Sequence, residues 1–126
     1  MIELEVVTPQ RPLLKTQCES VTLPGEQGEF QVLPGHVPLL AALKPGTLTY
    51  GDQKLMVAAG YAEVDASRVS VICEGAAWPS EIDLASERTL LEQLEAQLLQ
   101  ISMEDEKTLK AVEAQIASVT ARIRIV

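Results

Sequence analysis

Apolar residues recur at every second position from Met1 to about Trp78, and at every third or fourth position after Pro79. A period of two marks strands with one buried face, and a period near 3.6 marks amphipathic helices. In the first part Ile2, Leu4 and Val6 alternate with Glu3 and Glu5. ESVTLPG and GEFQVLPG obey the same rule, with Phe30 and Val32 on one face; LLAAL, GTLTY, QKLMVAAGYAEVD and RVSVICEG come next. Turn signals separate these runs at Pro24-Gly25, Pro34-Gly35, Pro45-Gly46, Gly51-Asp52 and Ala66-Ser67. Short strands at such spacing predict an antiparallel β-sandwich or barrel over residues 1–79. Gly60 interrupts one run and predicts a tight bend or bulge.

Pro79 discourages a helical residue before it, and either Ser80 or Asp83 can cap a helix that starts after it. Leu84, Leu91, Leu94, Leu98 and Ile101 then fall at a and d positions of a heptad. Glu87 fills the remaining d position, and its charge predicts that it points outward at a frayed end. Ser102–Asp105 matches a capping pattern, so a second helix starts there. Its stripe is Leu109, Val112, Ile116, Val119 and Ile123, with Val126 continuing it. Two such helices with a short link predict an antiparallel hairpin over residues 80–126. The fold class is therefore α+β. So small a hairpin is marginal alone, and is expected to lie on the sandwich or on another chain.

Composition narrows the function. The chain is 47% apolar and only 3% aromatic, so aliphatic side chains fill the core and no base-stacking platform is expected. The net charge of −8, from 10 basic and 18 acidic residues, disfavours phosphate backbones and anionic lipid. Neither a nucleic acid partner nor direct membrane insertion is expected. No secretory signal opens the chain, and no apolar run approaches the roughly 20 residues of a membrane span. A soluble protein is the expectation, reaching a membrane only through a partner. Cys18 and Cys73 sit in strand-like runs, without CxxC spacing, and read as small buried hydrophobes rather than a disulfide or metal pair.

Catalytic signatures are missing: no GxSxG, GxxxxGK[ST] or GxGxxG is present. No cofactor and no metal are expected. The only histidine, His36, could be a ligand, a base or a turn residue. Its setting between Gly35 and Pro38 favours a turn histidine bonded to nearby backbone, then an interface contact, with catalysis last. Binding suits the segment VLPGHVPLL better. Pro34 and Pro38 stiffen a loop flanked by Val32, Leu33, Val37, Leu39 and Leu40, with the acid Glu29 beside it. Stiffness lowers the entropy lost when a partner immobilises the loop.

These residues resemble a known family. Gly28, Glu29, Phe30, Val32, Pro34, Gly35, His36, Pro38, Leu39, Leu40, Leu43, Pro45 and Gly46 meet the pattern G-E-[apolar]-x-[apolar]-x-P-G-H-x-P-L-L-x-x-[apolar]-x-P-G. With ELEVVTPQRPLL, AAGYAEVDASRVSVICEGA and EIDLASE, the likeness covers essentially the whole chain. The chain is similar to the epsilon subunit of the F-type ATP synthase. The resemblance implies a non-catalytic subunit of the central stalk, on the cytoplasmic side of the inner (plasma) membrane. It would bind the gamma subunit and the ring of c subunits, and transiently the alpha and beta catalytic subunits. It would couple ion flow to ATP synthesis and restrain ATP hydrolysis through its helices.

By position, the resemblance assigns ring and gamma contacts to Glu29, Pro34, Gly35, His36, Pro38 and Leu39. Helix contacts in an extended, inhibitory form fall to Arg122 and Arg124. In members that bind ATP on the folded hairpin, an [IL]-D-x-x-R-A motif supplies an aspartate and an arginine. Here Ile82 and Asp83 match, but Ser86 and Glu87 replace the arginine and alanine, and Gln93 stands where a second arginine is expected. Arg88 is displaced by about 200° around the helix. No ATP binding is expected. The chain ends at ARIRIV, whereas inhibitory members often continue, so inhibition is expected to be partial. The rival reading is a sandwich-plus-hairpin adaptor or chaperone unrelated to ATP synthase.

Overall fold

A computed structural model describes all residues, 1–126. Ten strands come first: β1 (Ile2–Val7), β2 (Pro12–Cys18), β3 (Val21–Gly25), β4 (Gly28–Val32), β5 (Leu39–Leu43), β6 (Gly46–Tyr50), β7 (Gln53–Val57), β8 (Gly60–Val64), β9 (Arg68–Cys73) and β10 (Ala76–Ala77). A 3-10 turn at Pro79–Glu81 leads into helices α1 (Leu84–Gln100) and α2 (Glu106–Ile125). The strands form one folded-over sheet in the order β10-β7-β6-β3-β5-β8-β9-β1-β2, with β4 paired to β3. The α+β sandwich-and-hairpin fold is thus as expected. One pair, β1–β9, is parallel, and every other pair is antiparallel.

Alternation fills the interior. Ile2, Leu4 and Val6 of β1 meet Val69 and Val71 of β9, Leu48 of β6, and Leu55 and Val57 of β7 in one buried cluster. β7 differs, because both its faces are covered. Leu55 and Val57 point inward, while Met56 and the following Ala58 lie under α2 against Ala121, with Ile82 and Ile125 alongside. This explains why QKLMVA reads as a continuous apolar run rather than an alternating one. Leu94 of α1 packs with Val112 and Val119 of α2 to hold the two helices together. The hairpin therefore folds back on itself and lies on the sandwich.

Several expectations are corrected. Pro24-Gly25 is not a turn: both residues end β3, and the reversal falls at Glu26–Gln27. Pro12–Cys18 is an additional strand, at one end of the strand order. Of the two caps offered for α1, Asp83 is the one used. Val126 lies past the end of α2 and is exposed, so the apolar stripe ends before it. Glu87 does not point out. Its side chain is only 18% exposed and lies 2.9 Å from Arg122, because the antiparallel return of α2 brings a cation to that inward position.

Gly60 is not itself the expected bend, which falls at Ala59; it is the first residue of β8. It opens β8 so close to β9 that a Cβ would overlap the Ile72 carbonyl oxygen and come within 2.6 Å of Cys73 Cα. Only glycine allows this approach.

Candidate docking surfaces

The segment between β4 and β5 is a fixed turn. Gly35 has φ 85°, a conformation that favours glycine. Its amide donates to the Ala66 carbonyl at 2.8 Å, tying this loop to the β8–β9 turn at the same end of the sandwich. That second turn is itself organised by Asp65, whose Oδ1 accepts from the Ser67 and Arg68 amides at 2.9 Å. The His36 amide donates to Leu33 O at 3.2 Å, and Nδ1 sits 2.7 Å from Val37 O. His36 is a turn histidine with no carboxylate or nucleophile among its hydrogen-bond partners.

The loop exposes apolar surface. Val37 is 71% and Leu40 69% exposed, and Leu33, Pro34 and Pro38 are also exposed. Glu29 is exposed as well, but β4 carries it to the far end of that strand, beside the Glu26–Gln27 turn. Glu29 and the His36 turn are therefore at opposite ends of β4. Leu39 and Leu40 rejoin Glu29 along a groove of about 530 Å³, walled by Gly25–Phe30 on one side and Leu39–Ala42 on the other.

A second apolar surface escaped sequence reasoning. Tyr61 is 58% and Ile72 61% exposed, and they are cross-strand partners on β8 and β9. With Ala42, the partner of Tyr61 on β5, they form the outer face of this half of the sheet. The outer face of β7, by contrast, is covered by α2. The signal was present: Ile72 is apolar at a position in phase with exposed Arg68, and Tyr61 is in phase with exposed Glu63.

On the hairpin, Asp83 Oδ1 accepts from the Ala85 amide at 3.1 Å and the Ser86 amide at 3.3 Å. Its Oδ2 accepts from Ser86 Oγ at 3.0 Å. The Ser86 hydroxyl, and then the backbone amides, hold the Asp83 carboxyl below the usual range. Asp83 and Ser86 thus serve the helix start. The adjoining surface of α1, lined by Ala85, Ser86, Thr89, Leu90 and Gln93, offers no cation to a phosphate. Arg122 faces Glu87, while Arg124 lines a groove of about 460 Å³ between α2 and the sandwich, together with Lys44 and Glu29.

Cys18 and Cys73 are free and buried, and burial pushes both thiols up from their ordinary value. No cluster of three or more His, Cys, Asp or Glu residues is placed to hold a metal ion. No helix is long and apolar enough to cross a membrane.

Rigid apolar loops and an uncovered apolar sheet face give this sandwich surfaces of the kind that suit protein docking. Residues 1–79 match the family model described as ATP synthase, Delta/Epsilon chain, beta-sandwich domain. The ATP synthase epsilon chain of Geobacter metallireducens is 39% identical over 128 aligned residues, covering 98% of this chain and 92% of that protein. That of Nitratidesulfovibrio vulgaris is 36% identical, with 98% and 94% covered. The chain belongs to the ATP synthase epsilon chain family. Its fold is also that of a chain in the Euglena gracilis mitochondrial ATP synthase OSCP/F1/c-ring structure, with TM-score 0.77, 22% identity and 95% of this chain and 79% of that one covered. A chain of the Tetrahymena thermophila central stalk/c-ring structure matches with TM-score 0.64 at 15% identity, covering 97% and 96%.

Proposed function

We propose that the chain is a non-catalytic rotor subunit of the ATP synthase central stalk, coupling ion translocation through the c-ring to ATP synthesis. The observation that carries this reading is near full-length similarity to epsilon chains, joined to a stiff apolar loop suited to a contact under load. Residues 1–79 are the docking domain. Glu29, Pro34, Gly35, His36, Pro38 and Leu39 contact the c-ring and gamma, and the Tyr61–Ile72 face extends the gamma contact. The subunit is peripheral, held by its partners on the cytoplasmic side of the plasma membrane. It binds no nucleotide on the α1 surface where Ser86 and Gln93 replace cations.

Residues 80–126 are regulatory. In the folded form Leu94, Val112 and Val119 are buried between the helices. Each such side chain contributes roughly 1.5–3 kcal/mol when fully buried. An extended hairpin is accessible only where gamma and the catalytic subunits cover the same stripe. There it brings Arg122 and Arg124 to an acidic segment of the catalytic subunits and restrains ATP hydrolysis. A cysteine at Glu29 tests the orientation. Cross-linking to a cysteine in the polar loop of a c subunit is expected. Cross-linking to gamma alone, or to nothing, overturns the proposed ring contact.

A further inference from the structure

Glu87 and Arg122 form the only ion pair between the two helices. Glu87 is in the first turn of α1 and Arg122 in the last turn of α2, at the end of the hairpin opposite its link. Each charge also complements the dipole of its own helix, so the pair joins two favourable termini. The side chains are 18% and 25% exposed, far less than in the other ion pairs, where at least one partner is more than half exposed. The contact is nonetheless imperfect. Arg122 Nε lies 2.9 Å from Oε1 without a directed hydrogen bond, and Oε2 is buried without a partner. A half-desolvated pair with an unmet acceptor holds its elements in register while contributing little net stability.

We propose that Glu87–Arg122 is a clasp that keeps the hairpin folded and withholds Arg122 from any external acidic partner. This rests on the regulatory reading above, because one guanidinium serves two mutually exclusive states. Glu87 is an internal competitor for the cation that the extended form uses. The two substitutions then act in opposite directions. Removing the Glu87 charge frees Arg122 and favours extension. Removing the Arg122 charge loosens the hairpin too, but deletes the contact that extension requires.

Two measurements separate the parts of the claim. Hydrogen exchange on the full-length chain compares Glu87→Gln, Arg122→Gln and the double variant. Each single change is expected to speed exchange in α1 and α2 about fivefold, the scale of one ion pair, with the double variant no faster than either. A reversed pair, Glu87→Arg with Arg122→Glu, sets each charge against its own helix dipole, so it is expected to exchange more slowly than either single reversal without reaching the native rate. Additive effects, or none, overturn the clasp. In the assembled complex, Glu87→Gln is expected to lower ATP hydrolysis about twofold or more, and Arg122→Gln to raise it. Unmoved hydrolysis with the exchange result intact overturns the regulatory reading while the clasp stands.

Discussion

Truncating Met56 to alanine separates the two packing surfaces of β7. Met56 is fully buried, yet it is outside the sandwich interior, packed with Ala58, Ala121, Ile82 and Ile125. Met56→Ala deletes Cγ, Sδ and Cε from this interface and leaves the interior cluster of 16 residues untouched. At about 0.8 kcal/mol per buried methylene-sized group the transfer loss is about 2 kcal/mol, and a residual cavity adds to it. Every 1.4 kcal/mol is tenfold in an opening equilibrium, so the docked helices open about thirtyfold more often. Native-state hydrogen exchange read by mass spectrometry resolves this. Peptides from α2 are expected to exchange about thirtyfold faster, while β1, β3 and β9 are unchanged. Equal acceleration throughout would mean that sandwich and hairpin unfold as one unit. No acceleration would mean that α2 is not held by this surface. Either result refutes the reasoning.

The other predictions concern single sites. Gly60→Ala forces a methyl group onto the β9 backbone, which cannot move without breaking the β8–β9 ladder. The cost is about 2 kcal/mol or more, and thermal unfolding should show a melting point lower by about 5–10 °C; a shift within measurement error contradicts the close approach. Both thiols should react slowly with a labelling reagent in the native chain and fast in denaturant, since Cys18 and Cys73 are buried. Rapid native labelling would place either one at the surface. The Asp83 carboxyl has a lowered native pKa, so its contribution to helix stability is fully present above the ordinary value near 3.9. It is lost as pH falls through the lower native value. Asp83→Asn should therefore weaken α1 at neutral pH and flatten the acid dependence of helix content by circular dichroism; an unchanged acid limb would assign that limb to other carboxylates.

The legible parts of this fold are those with one buried face. The β1 and β9 alternation and the Val112–Val119 stripe each report one buried face, and period alone places them. Strand direction is different. Ile2, Leu4 and Val6 alternate identically whether their partner runs parallel or antiparallel, so the parallel β1–β9 pair left no trace in the pattern. Pro24 read as a turn because proline usually ends a strand, yet it carries no ladder hydrogen bond for which an N–H is needed, and its carbonyl accepts from the Lys44 amide at 3.0 Å. Heptad position put Glu87 on the inner face correctly, and charge argued it outward. What decided the matter was Arg122, 35 positions later, arriving by the hairpin return. The stiff His36 turn was legible from Pro34, Gly35 and Pro38. Its anchor, the Ala66 carbonyl, was not, because it depends on two loops meeting at one end of the sandwich. Tyr61 and Ile72 were readable as outward apolar residues once the phase of β8 and β9 was traced through.

Imaging of the intact ATP synthase complex under ATP and under ADP shows directly whether this chain is a stalk subunit docked by its sandwich. One copy is expected on the central shaft, with the Glu29 groove and His36 turn against the c-ring loops and with Tyr61 and Ile72 covered by gamma. The hairpin's folded and extended populations are expected to change with nucleotide conditions. A complex lacking the chain, or one holding it with the His36 turn directed away from the ring and the Tyr61–Ile72 face bare, would show that the chain is not docked in this way.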